Sequence, residues 1–557
     1  MKNPRVLALS LALCLASASA IVTRMASGQA GLAQNRGAAL ITPERLREYL
    51  TYISSDDLEG RNTFSEGLGL AAAYIADRIK EAGVKPGGDH GTYFQRVSVL
   101  GVKSTNRSTL TVEVNGRTRT FRNGEGASFP KNVGGKQTVT LNQVEFVGYG
   151  LHLDAGHNDY KGLDVKGKAV VWLGTGPRAI GNAQRFIGER ASLATDEMGA
   201  LATIGPATDR AFGAANEPAA GGGRGGAREL QPDFTTVQNL DLPQKPEVIA
   251  SDELLEFLFS AADMKYADLK AKADAREESL PRFVLKGVKL TFNIDADYQV
   301  VNTRYTRNIV GIVEGTDPQL KNTYVAFGAH YDHLGYMQGV LPAGQTDRIF
   351  NGADDDGSGT ATIIALARAF ALGPKPKRSL LFVWHAGEER GLYGSRYFAD
   401  YPEVPIDRIV TQLNIDMIGR NKDNLESESN AVYAVGSDRI STELHNILVG
   451  ANESLSRPLR INYDMNDSTD PERIYYRSDH FSYAAKGIPI IFFFTGLHPD
   501  YHRVSDSIEK IDFEKMSHIA QLVYTIGWNV ANLDHPPARD FLGPRMGKGS
   551  TGRLSIR

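Results

Sequence analysis

The sequence predicts an α/β fold: a mixed, largely parallel central sheet flanked by helices, with a β-rich domain inserted into it. Three observations carry this. From about Asn302 onward, short apolar runs at 309–313, 323–328, 379–384, Ile409–Ile415 and 489–494 alternate with helical patterns at 359–371 and 441–455, and strands alternating with helices favour parallel pairing. Between Tyr93 and about Leu290 the pattern changes to period-two alternation, as in Thr109–Val114 and 144–149, which reads as half-buried strands. The 557 residues exceed what one compact core accommodates.

Taken in order, the chain begins with Lys2 and Arg5, an apolar run over 6–15 and the small residues Ala18, Ser19 and Ala20. This is the pattern of a signal peptide over 1–20, so the protein is expected to be exported, to the periplasm or the medium. The run is too short to span a bilayer and no later stretch is apolar enough, so no stable membrane insertion is expected. The only cysteine, Cys14, lies inside that segment. A mature chain without a thiol excludes a cysteine nucleophile, a cysteine-ligated zinc and any disulfide. Residues 21–42 read as a flexible segment. Residues 43–82 read as two helices, the second carrying Leu70, Ala73, Tyr74, Ala76, Ile79 and Ala82 at helical spacing before Gly83 ends it. Together with 291–535 the stretch 43–98 is expected to form one discontinuous domain, interrupted by the insert at 99–290. The Gly/Ala-rich tract 211–228 reads as a loop. Phe513–Asn532 is the last strong helix, and 536–557 reads as a flexible tail. Net charge is −3 with no long basic block, so nucleic acid is not an expected partner.

Residues of metal-ligand type follow the ends of the predicted strands. His330 closes the run 325–330, Asp355 lies in the glycine-rich turn 351–359 before a helix, Glu389 follows the strand ending at Trp384, Asp416 follows 412–415, and His502 follows 489–494. One such residue means little, but five at successive strand ends stand along one edge of one sheet, where α/β folds bind ligands. Histidine and carboxylate without cysteine suit zinc or a similar borderline metal. Three carboxylates and two neutral imidazoles bring a charge of −3 against +4 for two divalent ions, a balance that one hydroxide completes, so two ions fit better than one. Asp355, on a turn opened by Gly352, Gly357 and Gly359, is the expected bridge. Asp332, two residues after His330, is placed to accept the other imidazole N–H. Glu388, not needed as a ligand beside Glu389, is the expected general base and then acid. His333, His385 and His498 read as neighbours of the ligands or packing residues.

These residues resemble the co-catalytic di-zinc exopeptidases of peptidase clan MH, the group of secreted bacterial leucyl aminopeptidases, glutamate carboxypeptidase and the transferrin receptor ectodomain. The stretches that carry the resemblance are 328–335 (GAHYDHLG), 351–359 (NGADDDGSG), 388–395 (EERGLYGS), 414–419 (NIDMIG), Ser478-Asp479-His480 and Tyr501-His502. The resemblance implies one zinc held by His330 and Asp416, a second by Glu389 and His502, and Asp355 between them. It implies Glu388 as general base, Tyr475, with Tyr476 as a rival, as a stabiliser of the tetrahedral intermediate, and a cis peptide at Asp355-Asp356. Residues 58–61 (LEGR) and 83–86 (GVKP) match the start of that fold, and 159–172 resembles a protease-associated (PA) domain. Peptide substrates and release of N-terminal residues follow as expectations, with a carboxypeptidase or dipeptidase, a glutaminyl cyclase and a non-catalytic receptor-like protein as alternatives. His385 departs from the small residue common before the glutamate pair.

Overall fold

The computed structural model describes residues 36–153, 156–180, 184–207, 231–341, 344–467 and 470–540. The expected signal peptide, residues 21–35, the tract 211–228 and residues 541–557 lie outside them.

A ten-stranded sheet organises the main domain, in the order Phe234–Thr236, Phe94–Asn106, Ala296–Val313, Ser379–His385, Tyr324–His330, Ile409–Ile415, Ile490–Phe494, Ala431–Val435 and Arg460–Asn462, with Lys85–Pro86 paired to Ala296–Val313. Its centre is parallel: 379–385, 324–330, 409–415 and 490–494 run the same way. Parallel pairing does not extend across the sheet, because the long strands Phe94–Asn106 and Ala296–Val313 join it antiparallel and Ala431–Val435 runs against Ile490–Phe494. The central strands read as unbroken apolar runs because both their faces are covered. Along Ser379–His385 every residue is buried. Leu380, Phe382 and Trp384 pack under the helices Pro43–Ile53, Glu66–Glu81, Gly359–Leu372 and Phe513–Asn532, while Leu381 and Val383 face Phe398 and Tyr483 on the opposite side, as the alternation of a strand requires. Phe327 stacks on Phe382 of the neighbouring strand with centroids 5.0 Å apart.

The buried stripe of Glu66–Glu81 consists of Leu68, Ala71, Ala72, Ile75, Ala76 and Ile79. Leu70, which the sequence reading set on the core face, is 43% exposed. The continuous run of alanines leaves the phase of the pattern ambiguous, and the larger Leu68 and Ile75 take the interior.

The inserted part forms a second ten-stranded sheet with its own core, in which Leu110, Val112, Phe146, Leu254 and Phe292 are buried. The chain leaves the main sheet at Asn106 and rejoins it at Ala296, later at both ends than the expected 99 and 290, because Phe94–Asn106 and Ala296–Val313 stay paired along their length. Phe234–Thr236 reaches back from this part to pair with Phe94–Asn106.

The expected flexible ends are tied down where they are described. Ile41 is buried and its carbonyl accepts from Ser517 Oγ (3.1 Å) and Gln521 Nε2 (3.2 Å). Asp540 Oδ1 accepts from the Thr442 backbone N–H (2.8 Å) at the start of the helix Thr442–Glu453, a helix end that favours a carboxylate. Among the described residues no helix is long and apolar enough to cross a membrane.

Candidate metal centre

The C-terminal ends of the parallel strands converge on a buried cluster of imidazoles and carboxylates. His330 ends its strand, and its Nε2 stands 3.2 Å from Asp355 Oδ1 and 3.6 Å from Asp416 Oδ2. The other oxygen of Asp355 lies 3.1 Å from His502 Nε2, which is 3.2 Å from Glu389 Oε2. Asp355 therefore faces two donor groups with different oxygens: His330 and Asp416 on one side, His502 and Glu389 on the other. Ligands at 2.0–2.2 Å around a tetrahedral ion are separated by about 3.3 Å, which is the spacing found here.

Asp416 Oδ2 accepts from Ser478 Oγ (2.8 Å), but other atoms of the cluster lack hydrogen-bond partners. His330 Nε2, His502 Nε2, Asp355 Oδ2 and Asp416 Oδ1 are buried and make no hydrogen bond, and buried polar atoms are rarely left so. Each group's charge is set by the others. Burial favours neutral imidazole at His330, but the Asp416 and Glu388 carboxylates outweigh it and hold the ring's pKa well above its ordinary range. His502 is treated likewise: burial opposes, Asp355 and Glu389 win, and its pKa is pushed up to about 10. Burial and Asp355 push the Glu389 carboxyl up, and His333 and His502 pull it down to about 2. The residues fit a pair of divalent cations.

Backbone contacts explain why the cluster forms where it does. Asp356 ties two strand ends to the start of a helix, accepting from the backbone N–H of His330 (3.2 Å), Gly359 (2.8 Å) and Met417 (3.2 Å). Asp506 accepts from the N–H groups of Asp354 and Asp355, both at 3.1 Å. The wholly buried Arg61 clamps the preceding loop, donating to the carbonyls of Ile53, Tyr331, Asn351 and Gly352. Gly352 takes φ 55°, and a Cβ there would stand 2.3 Å from the Asp355 carbonyl and 2.6 Å from the His333 ring, so the turn requires glycine. The Asp355-Asp356 peptide is cis.

The remaining expected residues are placed as follows. The His330 Nδ1 neighbour is the Asp332 backbone carbonyl at 3.1 Å, with the Asp332 carboxylate farther away at 3.7 Å. That carboxylate instead accepts from Thr63 Oγ1 (2.8 Å) and from the Glu388 backbone N–H (3.1 Å), so it holds Glu388 in place. Glu388 Oε2 is 3.9 Å from His330 Nε2, and burial pushes its carboxyl well above the ordinary carboxylate range. Tyr475 is not among the residues lining the cleft: its ring lies under the Arg439 guanidinium (3.8 Å) and beside His480, and burial pushes its hydroxyl up to about 12. Tyr476 is drawn away to Glu197.

The cleft beside Glu388 and Asp416 is walled by Met417, Ile474, Phe492, Phe494 and Leu497, with Arg477 and Tyr501 among its polar members. Tyr501 stacks on His502 (3.9 Å), and its hydroxyl accepts from Arg477 Nη2 at 3.3 Å. Sequence reasoning gave Tyr501 no role of its own and weighed Arg477 only as a possible contact for a substrate carboxylate. The signal was available for Tyr501, the immediate neighbour of a ligand. His333, read as a neighbour of the ligands or a packing residue, touches the site directly: its Nδ1 is 2.8 Å from Glu389 Oε1, and the other carboxylate oxygen faces His502. His385 pairs with Asp479 (3.4 Å) beneath the cluster and with the Tyr483 hydroxyl (3.0 Å).

Known proteins are similar to parts of this chain. A probable leucine aminopeptidase of Trichophyton verrucosum (strain HKI 0517) is 31% identical over 224 residues, 38% of this chain and 56% of that protein. A probable zinc metalloprotease of Pyrenophora tritici-repentis (strain Pt-1C-BFP) is 28% identical over 271 residues, 43% of this chain and 60% of that protein. The chain thus spans somewhat over half the length of these relatives. The solved structure of an aminopeptidase from Aneurinibacillus sp. strain AM-1 is similar at 19% identity, covering 92% of this chain and all of that one, with a TM-score of 0.46. The model of Peptidase family M28 matches residues 308–526, the stretch that supplies His330, Asp355, Glu388, Glu389, Asp416 and His502. Over residues 308–526 the chain is thus similar to Peptidase family M28.

Proposed function

We propose that the protein is an exported di-zinc aminopeptidase that removes N-terminal residues with apolar side chains from peptides. The observation that carries this is Asp355, whose two oxygens face two separate imidazole–carboxylate pairs, with Glu388 Oε2 3.9 Å from His330 Nε2. His330 and Asp416 would hold one ion and His502 and Glu389 the other. Two bound zinc ions supply Lewis-acid polarisation of the scissile carbonyl and lower the pKa of water. Glu388 takes the proton of the attacking water and returns it to the leaving amine; its raised carboxyl pKa brings it closer to that of a base that must also act as an acid. Arg477 and Tyr501, paired across the cleft, are placed to donate hydrogen bonds to an oxyanion. The apolar wall of Met417, Ile474, Phe492, Phe494 and Leu497 suits the side chain of the residue being released. The zinc metalloprotease and leucine aminopeptidase names of the relatives support the same reading, and the sequence of residues 1–20 supports export.

One observation favours a carboxypeptidase or dipeptidase as the second reading. Arg477 lines the cleft and would meet a substrate carboxylate. Two other arginines are engaged elsewhere: Arg473 is held by Glu189 and Glu197, and Arg390 is exposed and bonded to Asn62. Leucyl-p-nitroanilide, its N-acetyl derivative, free Leu-Leu and Leu-Leu amide separate the cases. Cleavage of leucyl-p-nitroanilide and Leu-Leu amide, with none of the acetylated substrate, is expected. Hydrolysis restricted to substrates with a free carboxylate would replace the proposal by the second reading.

A further inference from the structure

We infer that Arg473 is a positioning residue through which the inserted domain sets the apolar wall of the cleft. The inference rests on the aminopeptidase reading and adds to it a role for the insert. The short segment 470–477 presents side chains in two directions. Ile474 and Arg477 line the cleft. Arg473, between them in sequence, turns to the insert, where its Nε donates to Glu189 Oε2 (2.7 Å) and its Nη2 to Glu197 Oε1 (3.0 Å). The guanidinium side chain is 2% exposed and that of Glu197 3%. The Tyr476 hydroxyl donates to the same Glu197 oxygen, and the Arg473 guanidinium lies over the Tyr476 ring at 4.6 Å. One arginine, one tyrosine and two glutamates from chain positions far apart thus close a buried network immediately behind the cleft wall.

The backbone shows what this network holds. Arg473 adopts φ 53°, a left-handed conformation disfavoured for a residue with a Cβ unless its surroundings impose it. Locally it is supported by Asp470, whose carbonyl accepts from the Arg473 N–H (3.0 Å) and whose Oδ2 accepts from the Ile474 N–H (2.8 Å). The fork of the guanidinium fixes the remaining direction, because removing either partner strands a buried charge. The metal-ligand residues and Glu388 stand on the ends of main-sheet strands and their following loops, not on this segment. Loosening the network should therefore disturb how the side chain of the substrate is held, and leave the ligands and the proton-transfer group in place.

The test uses the full-length zinc-loaded protein and the variants R473M, R473K, E197Q and E189Q/E197Q. R473M and E197Q are expected to raise KM for leucyl-p-nitroanilide about tenfold while kcat stays within about twofold, the pattern of lost ground-state binding. The preference for leucyl over alanyl substrate should shrink, zinc content should be unchanged, and backbone amides of 474–478 should exchange with deuterium faster. R473K, which keeps the charge without the fork, should fall between. Unchanged KM, unchanged leucyl/alanyl preference and unchanged exchange in R473M and E197Q would overturn the inference. Should R473M fail to fold, the two glutamine variants, which leave no added bulk, decide it. A wild-type protein inactive on every leucyl substrate would sink the aminopeptidase reading, and exchange at 474–478 would still decide the role of Arg473.

Discussion

Glu388 and Glu389 are neighbours in the chain with opposite electrostatic fates. Burial raises the carboxyl of the first, and contacts with His333 and His502 hold that of the second at about 2. The substitution E388Q keeps the shape and removes the proposed proton carrier. It is expected to bind two zinc ions, measured by elemental analysis, and to lose roughly 10²–10⁴-fold in kcat; near-normal turnover with full metal would refute the role. Tyr501 and Tyr475 offer a matched pair. Y501F removes a hydroxyl that lines the cleft and should lower kcat/KM on leucyl-p-nitroanilide by about tenfold or more, whereas Y475F removes one that lies under Arg439 and should change it by less than about twofold. The reverse order would restore Tyr475. At this scale the sequence displays ligand types at strand ends, because an apolar run that stops abruptly at His or Asp is visible in the letters. It does not display Arg61 or Asp506 as parts of the site, because their contacts join chain segments that only folding brings together.

The helix Phe513–Asn532 shows how closely elements are fitted. A Cβ on Gly527 would meet the Phe327 ring at 2.4 Å. Alanine gains about 1 kcal/mol of helix propensity over glycine, and overpacking a filled core costs about 1–3 kcal/mol, so the clash should win. G527A is expected to lower the melting temperature; a rise would mean that the ring moves aside. In the inserted sheet, burial pushes the Glu247 carboxyl up to about 7. The folded protein then keeps a proton that the unfolded chain releases near pH 4.5, so stability is full below that value and falls as pH rises toward 7. E247Q should match the wild type near pH 4 and melt at a higher temperature at pH 8, as followed by calorimetry. Strands and helices of the main domain could be read from periodicity, since long apolar runs and capped amphipathic segments leave little choice. The antiparallel flanks could not, because pairing direction depends on which distant strand arrives alongside.

For the molecule as a whole, the cluster of buried carboxylates leads to the expectation that, on the proposed di-zinc reading, cation binding stabilises the fold. A chelator should abolish activity and lower the melting temperature, and zinc should restore both. A ligand present at about 1,000 times its Kd stabilises by roughly 4 kcal/mol, an effect that thermal scans resolve; identical scans and activity with and without chelator would defeat the metal assignment.

The paired strands Phe94–Asn106 and Ala296–Val313 give the molecule a seam. Asn106 and Ala296 lie opposite each other as partners in the ladder, so the chain departs for the insert and returns from it at a single place. Everything between them is topologically a loop on a hairpin. A gene in which a two-residue Asn-Gly turn joins these positions would encode an ordinary β-hairpin there, and the seam marks where a foreign domain of similar end spacing can be grafted.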